Sequence, residues 1–343
     1  MTGHDHFRKM SPRAGVSQAI VSAALNGRTT GAVRVSAATE QRVRVAIREL
    51  GYVPDPAARR LAGGRNQLIG VFTYEPLFPV EPTTENYPFL VGIEREVAAQ
   101  DSNLLLFTQA NASSGGRTIY RDGGNVLRLA DGAILFSHRL RTEELRQLLR
   151  EPFPFIFIGR REVSGEEISF VVPAHVESSA AMSGSPLALG HRHLAYLRNP
   201  SDTEPCQDRE AGYRLAHRRA GLPLDESWIR RDDVTPTLLR ALRSSGVTAC
   251  IVEDTALAER FLEVAREIGL TVPGDCSLAS LSDPMTAPLP PEITTVIVPR
   301  RKIGARAVRL LTDHLTRPES NHQQIYIPCG IAEGMTLSAP RRA

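Results

Sequence analysis

The sequence predicts an α/β protein in which a small helical module precedes two doubly wound lobes of parallel sheet. Three observations carry this reading. From residue 68 onward, short apolar runs alternate with amphipathic helical stretches, the pattern of strand, crossover helix and parallel strand. The first 67 residues show helical periodicity punctuated by capping residues. They also hold 11 Arg and Lys against 4 Asp and Glu, whereas the rest holds 30 basic and 34 acidic residues. The positive excess of a chain with net charge +3 therefore sits in its first fifth, and a basic module on a mildly acidic body points to a polyanion at one end. The plainer alternative is an Arg-rich solvated surface.

A length of 343 residues predicts two or three folding units. Hydrophobic residues at 42% and charged residues at 23% are ordinary for a globular chain and argue against bulk disorder. No apolar run approaches the ~20 residues of a membrane span, and the opening stretch "MTGHDHFRKMSPRAGV" lacks the apolar region of a secretory signal. A cytoplasmic protein with no membrane partner is expected. Cys206, Cys250, Cys276 and Cys329 form no C-x-x-C pair, which argues against a zinc knuckle or disulfide framework and for small buried hydrophobes.

In chain order, the first element is a short helical piece ended by Gly15. Ser17 then caps a second helix, closed by Gly27, that buries Val21, Ala24 and Leu25. This is a tight helix-turn-helix. Its outward face carries Gln18, Ala19, Ser22 and Ala23, where a recognition helix presents side chains to the major groove. Gln18 can pair with adenine, Ala19 can meet a thymine methyl, and Ser22 and Asn26 can reach phosphates or base edges. Ser36 caps a third helix, with Val43, Ala46, Ile47 and Leu50 at helical spacing and Gly51 as terminator.

In "YVPDPAARRLAGGRNQ", Asp55 and Pro56 open a helix that Gly63 and Gly64 stop after barely two turns. Nucleation makes so short a helix marginal alone, so a partner must order it. A DNA minor groove can serve, with Arg59 and Arg60 near phosphates and Leu61 wedged between base steps. An ordinary interdomain linker is the other reading.

The body supplies the strands "LIGVFTY", "NLLLF", "DGAILF", "FPFIFIG", "HLAYL", "TACIV" and "CSLASL". Helical repeats lie between them, among them "YPFLVGIEREVAAQ", "REAGYRLAHRRAGL" and "DTALAERFLEVAREIGL". Two such lobes bind ligands at the carboxyl ends of their strands, in the crevice between them. Neither nucleotide-binding glycine loop nor a nucleophile elbow is present, so no enzyme is expected. His191 and His193 form only an H-x-H pair, short of a zinc ligand set. Trp228, the single tryptophan, reads as a packing anchor.

"AGVSQAIVSAALNG", "VSAATEQRVRVAIRELGYVPDPAARRL" and "LALGHRHLAYL" occur in the order found in LacI-type (lactose-repressor, GalR-like) bacterial transcription regulators, which the chain resembles over nearly its whole length. The resemblance implies a DNA-binding headpiece over 1–53, a hinge helix and linker over 54–65, and a dimerising, periplasmic-binding-protein-like core. The core's N-terminal lobe would comprise 66–168 plus 295–323, and its C-terminal lobe 169–294 plus 324–338. It implies DNA contacts from Ser17, Gln18, Ala19, Ser22, Ala23 and Asn26, and from Ala58, Arg59 and Leu61 of the hinge helix. By the same analogy Tyr74, Phe89, Arg160, Arg209, Asp254 and Ser282 line an effector cleft, Arg209 reaching a ligand hydroxyl or carboxylate.

The chain also departs from the family pattern. Pro12 falls inside the stretch corresponding to the family's first helix, or at a helix start after Ser11, and Ala23 stands where many members carry a guanine-reading arginine. Asp254 and Thr255 replace an Asn-Asp pair, Ser282 replaces a sugar-gripping Asp, and Pro173 and Ala174 replace an Asp-Asn pair. The expected protein is a dimeric, sequence-specific regulator, a repressor on a near-palindromic operator, controlled by a sugar or related metabolite and needing no cofactor. The alternative is a cytoplasmic small-molecule-binding protein whose DNA-binding headpiece has decayed.

Overall fold

The computed structural model describes residues 11–25, 35–50, 66–78, 86–109, 116–137, 141–163, 165–230, 233–283, 293–319 and 321–341. The chain divides into two compact units, Met1–Ile69 with Leu129–Asp131, and Gly70–Arg128 with Gly132–Ala343.

In the first unit, residues 11–14 are helical, Pro12 among them. Gly15 adopts φ +64°, the left-handed turn that ends a helix at low steric cost in glycine. Helix α1 spans Gln18–Leu25, and the Ser17 hydroxyl accepts from the Ile20 amide at 3.4 Å. Helix α2 spans Ala37–Glu49, with Ser36 accepting from the Thr39 amide. Ala14, Val21, Val43 and Ala46 are buried together, with Val16, Ala24, Ile47 and Leu50 packed against them. These small and β-branched side chains bring three short helical pieces onto one core.

The two lobes follow from short strands, buried in the middle of each sheet and more exposed at its edges, that alternate with helices. The strands are β1 (Leu68–Phe72), β2 (Asn103–Leu106), β3 (Tyr120–Arg121), β4 (Gly124–Asn125), β5 (Gly132–Phe136), β6 (Phe155–Ile158), β7 (Phe170–Pro173), β8 (Leu194–Leu197), β9 (Ile229–Arg230), β10 (Ala249–Val252), β11 (Ser277–Ser280), β12 (Thr294–Ile297), β13 (Gln324–Ile327) and β14 (Gly330–Ala332). The helices are α3 (Asn86–Ala99), α4 (Thr142–Leu149), α5 (His175–Ala188), α6 (Glu204–Ala220), α7 (Pro236–Ser244), α8 (Thr255–Glu267) and α9 (Arg300–Thr316). One six-stranded sheet runs β13-β7-β6-β5-β1-β2 and the other β14-β12-β11-β10-β8-β9. Pairing is parallel between β5 and β6, β6 and β7, β8 and β10, and β10 and β11, whereas β14 joins β12 antiparallel.

The chain changes sheet after Pro173, after Ile297 and after Ile327. Each crossing comes a few residues beyond the positions 168, 295 and 324 implied by resemblance. A strand leaving its sheet early would strand buried backbone groups without partners, so the chain completes β7, β12 and β13 before it crosses.

Two glycines let α3 and α9 touch backbone to backbone. A Cβ on Gly92 would lie 2.0 Å from the Arg301 carbonyl oxygen, and one on Gly304 would lie 2.3 Å from that of Phe89. This contact fixes Phe89 and Arg300 near each other at the mouth of the first lobe.

The candidate metal pair is engaged in packing. The His191 ring bonds Thr248 Oγ1 at 2.8 Å through Nδ1 and the Ser338 carbonyl at 2.7 Å through Nε2, lacing the C-terminal segment onto the second lobe. His193 meets the half-buried Trp228 edge to face at 5.2 Å, and Trp228 packs on that lobe's core. Among the described residues no cluster of three metal-ligating side chains occurs, and no helix is long and apolar enough to cross a membrane. Cys206, Cys250 and Cys276 are buried, Cys329 is half-buried, and all four are free thiols.

Candidate functional site

The two units present separate candidate surfaces. On α1, Ser17 caps the helix, Gln18 and Ala19 are exposed and Ala23 is half-buried. Ser22 lies in the same helix, its side chain outside the described residues. Asn26, Ala58, Arg59 and Leu61 also lie outside them. The exposed face of α1 thus offers an amide and a methyl, able to meet adenine and thymine edges, and carries no charge.

The second surface is a cavity of about 440 Å³ between the lobes. It lies at the carboxyl ends of β5, β6 and β7, which contribute Phe136, Ile158, Val172 and Pro173, and faces Asn199, Ser201 and Thr203 from the loop after β8. This is the crevice where doubly wound sheets bind ligands. Phe89 and Phe136 form a tilted pair with ring centroids 6.3 Å apart. Together with Ile158, Val172 and Val298 they make one wall apolar.

The rest of the lining is polar and cationic. Arg161, Arg209 and Arg300 all line the cavity, with side chains 6%, 15% and 6% exposed. Arg161 donates to Glu204 Oε2 at 3.2 Å and Arg300 to Asp283 Oδ1 at 2.7 Å. Arg209 is held more loosely, its Nη1 standing 3.9 Å from Glu253 Oε1. Glu253 is fully buried, and its other oxygen accepts from the Asn199 amide at 2.6 Å. Asp254 caps α8 through the Leu257 amide at 2.9 Å and accepts from Asn199 Nδ2 at 2.6 Å. His175, buried at the start of α5, is held well below the usual imidazole range, first by burial and then by the neighbouring Arg209 and Arg300. Burial likewise raises the Cys206 thiol, which keeps it protonated on the cavity wall.

Of the six positions expected in the cleft, the structure brings Phe89, Arg209 and Asp254 onto its wall. The other three are engaged elsewhere. Tyr74 packs edge-on against Phe72, and its hydroxyl donates to Glu144 Oε2 at 3.3 Å. Arg160 bonds Asp208 and Glu162. Ser282 is buried behind the cavity, where its carbonyl accepts from Thr295 Oγ1 at 2.7 Å and its hydroxyl from Arg300 at 3.4 Å. Arg161, rather than Arg160, lines the cavity, just after Gly159 with φ +110°. Sequence reasoning missed Arg161, His175, Asn199 and Arg300. The doubled arginine at the end of "FIFIGRR" was the available signal for Arg161.

The headpiece matches the model of "Bacterial regulatory proteins, lacI family" over residues 11–55, and residues 187–337 match "Periplasmic binding protein-like domain". HTH-type transcriptional regulator CelR of Thermobifida fusca is 30% identical over 316 residues, covering 88% of this chain and 89% of that protein. Among solved structures, a transcriptional regulator CelR–cellobiose complex superposes with TM-score 0.62 at 24% identity, covering 96% of this chain and 99% of that one. A lac repressor dimer bound to operator and the anti-inducer ONPF superposes with TM-score 0.66 at 21% identity, covering 96% and 98%. A capped helix-turn-helix, a two-lobed core with an interlobe cleft and this identity across most of the chain agree: the protein belongs to the LacI family of bacterial regulatory proteins.

Proposed function

We propose that the protein is a cytoplasmic, dimeric transcription repressor that binds a near-palindromic operator and is controlled by a sugar or related metabolite in the interlobe cleft. The observation that carries this reading is the pairing, in one chain, of a capped helix exposing Gln18 and Ala19 with a walled, partly cationic cavity between two lobes. Two headpieces occupy half-sites, Gln18 and Ala19 read base edges, and Arg59 and Arg60 supply phosphate contacts. Paired hinge helices set Ala58 and Leu61 in the central minor groove, Leu61 as the wedge. An effector bound to the cleft shifts DNA affinity only by its different affinity for two lobe arrangements. Relatives that are regulators rather than enzymes support a binding role without catalysis.

Selection of bound duplexes from a random pool by the full chain tests this. A palindromic consensus is expected. Absence of enrichment at low salt would contradict it and favour a ligand-binding protein with a decayed headpiece, the reading to which Ala23 lends support. On the selected duplex, Leu61→Ala should weaken specific binding more than non-specific binding, and equal losses would remove the wedge.

A further inference from the structure

We infer that the cleft is built for an anionic ligand, a carboxylate or phosphate carried on a small ring with an apolar face. This rests on the reading of the cleft as the effector site and names the chemistry of its occupant. Cationic donors dominate the charged groups on the lining. Arg161, Arg209 and Arg300 offer guanidinium donors. Among the described lining residues Asp254 is the one carboxylate against three guanidiniums, and each of its oxygens already accepts one bond, from the Leu257 amide and from Asn199 Nδ2. An occupant that brings acceptors of its own suits that balance.

The lining also holds unmet hydrogen-bonding capacity. Arg161 Nε and Arg209 Nε are buried and have no partner among the described residues. Arg161 is 6% exposed, so solvent cannot satisfy it. Glu253 Oε1 is also without a hydrogen-bond partner, and at 3.9 Å from Arg209 Nη1 it neutralises charge without forming a bond. Arg161 and Arg300 each hydrogen-bond a carboxylate, whereas Arg209 only faces one at 3.9 Å, so its N–H donors are the least committed of the three. A planar guanidinium suits a carboxylate or phosphate, which it can hold with two parallel hydrogen bonds. His175, kept uncharged beside Arg209 and Arg300, adds no proton of its own to the balance. The Phe89 and Phe136 rings cover the apolar face of the ligand, and about 440 Å³ admits a monosaccharide-sized body.

Thermal unfolding and calorimetric titration of the full chain at fixed ionic strength test the inference. The probes are inorganic phosphate, glucuronate, glucose 6-phosphate and neutral glucose. At least one charged probe should bind tenfold or more tightly than glucose; glucuronate against glucose 6-phosphate separates carboxylate from phosphate. Arg209→Gln should lower that affinity at least tenfold, while Arg219→Gln, on the exposed surface beside Glu177, should not. Glu253→Gln should raise anion affinity, a change that a folding defect cannot mimic. Glucose binding as tightly as the charged probes would overturn the anionic chemistry and leave the effector site standing. Failure of every probe, phosphate included, to distinguish wild type from Arg209→Gln would overturn Arg209 as the anion's seat. The duplex selection above is scored separately, so anion binding without duplex enrichment rejects the regulatory reading alone.

Discussion

Arg160, on the turn after β6, and Asp208, on α6, join the two lobes through two hydrogen bonds, Nε to Oδ2 at 3.2 Å and Nη2 to Oδ1 at 2.9 Å. The arginine belongs to the first lobe and the carboxylate to the second. Both side chains are mostly buried, 17% and 15% exposed, so the pair is a charge-assisted clasp between lobes. Asp208→Asn removes the charge and is expected to shift the lobe equilibrium toward open forms by about 1–2 kcal/mol. Distances between spin labels on the two lobes would broaden and lengthen. An unchanged distribution would mean that the clasp does not hold the lobes.

The α3–α9 contact makes a stability prediction. Gly304→Ala places a methyl 2.3 Å from the Phe89 carbonyl oxygen, which backbone must move to admit. Overpacking of this kind costs about 1–3 kcal/mol. Urea unfolding should show a lower midpoint with little change in slope, and a midpoint equal to wild type would place the two helices farther apart.

Acid should destabilise the core through its buried histidines. His175, His191 and His217 are all held below the ordinary imidazole value, each chiefly by burial. Below about pH 6.5 the unfolded chain takes up protons that the folded chain refuses, so stability present above that pH is lost as pH falls. His175 alone can contribute up to about 1.4 kcal/mol per pH unit. Chemical denaturation at pH 7.5 and 5.5 should show this loss, and His175→Gln should reduce it. A pH-independent midpoint would contradict the assignment.

On the DNA-reading side, Gln18→Ala should cost about 1–3 kcal/mol of discrimination at one base position. Ala23→Arg restores a guanidinium where the family commonly has one, and should add a preference for guanine beside it. Repeating the duplex selection with each variant reads both effects, and a consensus identical to wild type would exclude α1 from the major groove.

The fold was legible in the sequence wherever one residue type performs one local task. Ser17, Gly15 and Ser36 mark helix ends because their side chains, or the lack of one, satisfy backbone geometry on the spot. Strands such as "GAILF" and "FIFI" declared themselves by burial on both faces. Less visible were the edge strands β9, β13 and β14 and the interior strands β7 and β12, whose pairing depends on distant partners. In the cleft, Phe89, Arg209 and Asp254 line the cavity, as does Arg161 rather than its neighbour Arg160, just after a left-handed glycine at 159. Glu253 and Arg300 escaped notice because their importance lies in partners distant along the chain, Asn199 and Asp283, a relation that local spacing does not encode.

The central claim is that one chain couples a DNA-reading helix to an interlobe cleft. It is tested most directly by measuring affinity for the selected duplex with and without a saturating cleft ligand, in wild type and in Arg209→Gln. The ligand should change wild-type affinity by about 5- to 150-fold and leave Arg209→Gln nearly unmoved. A ligand that fills the wild-type cleft while DNA affinity stays constant would contradict the account.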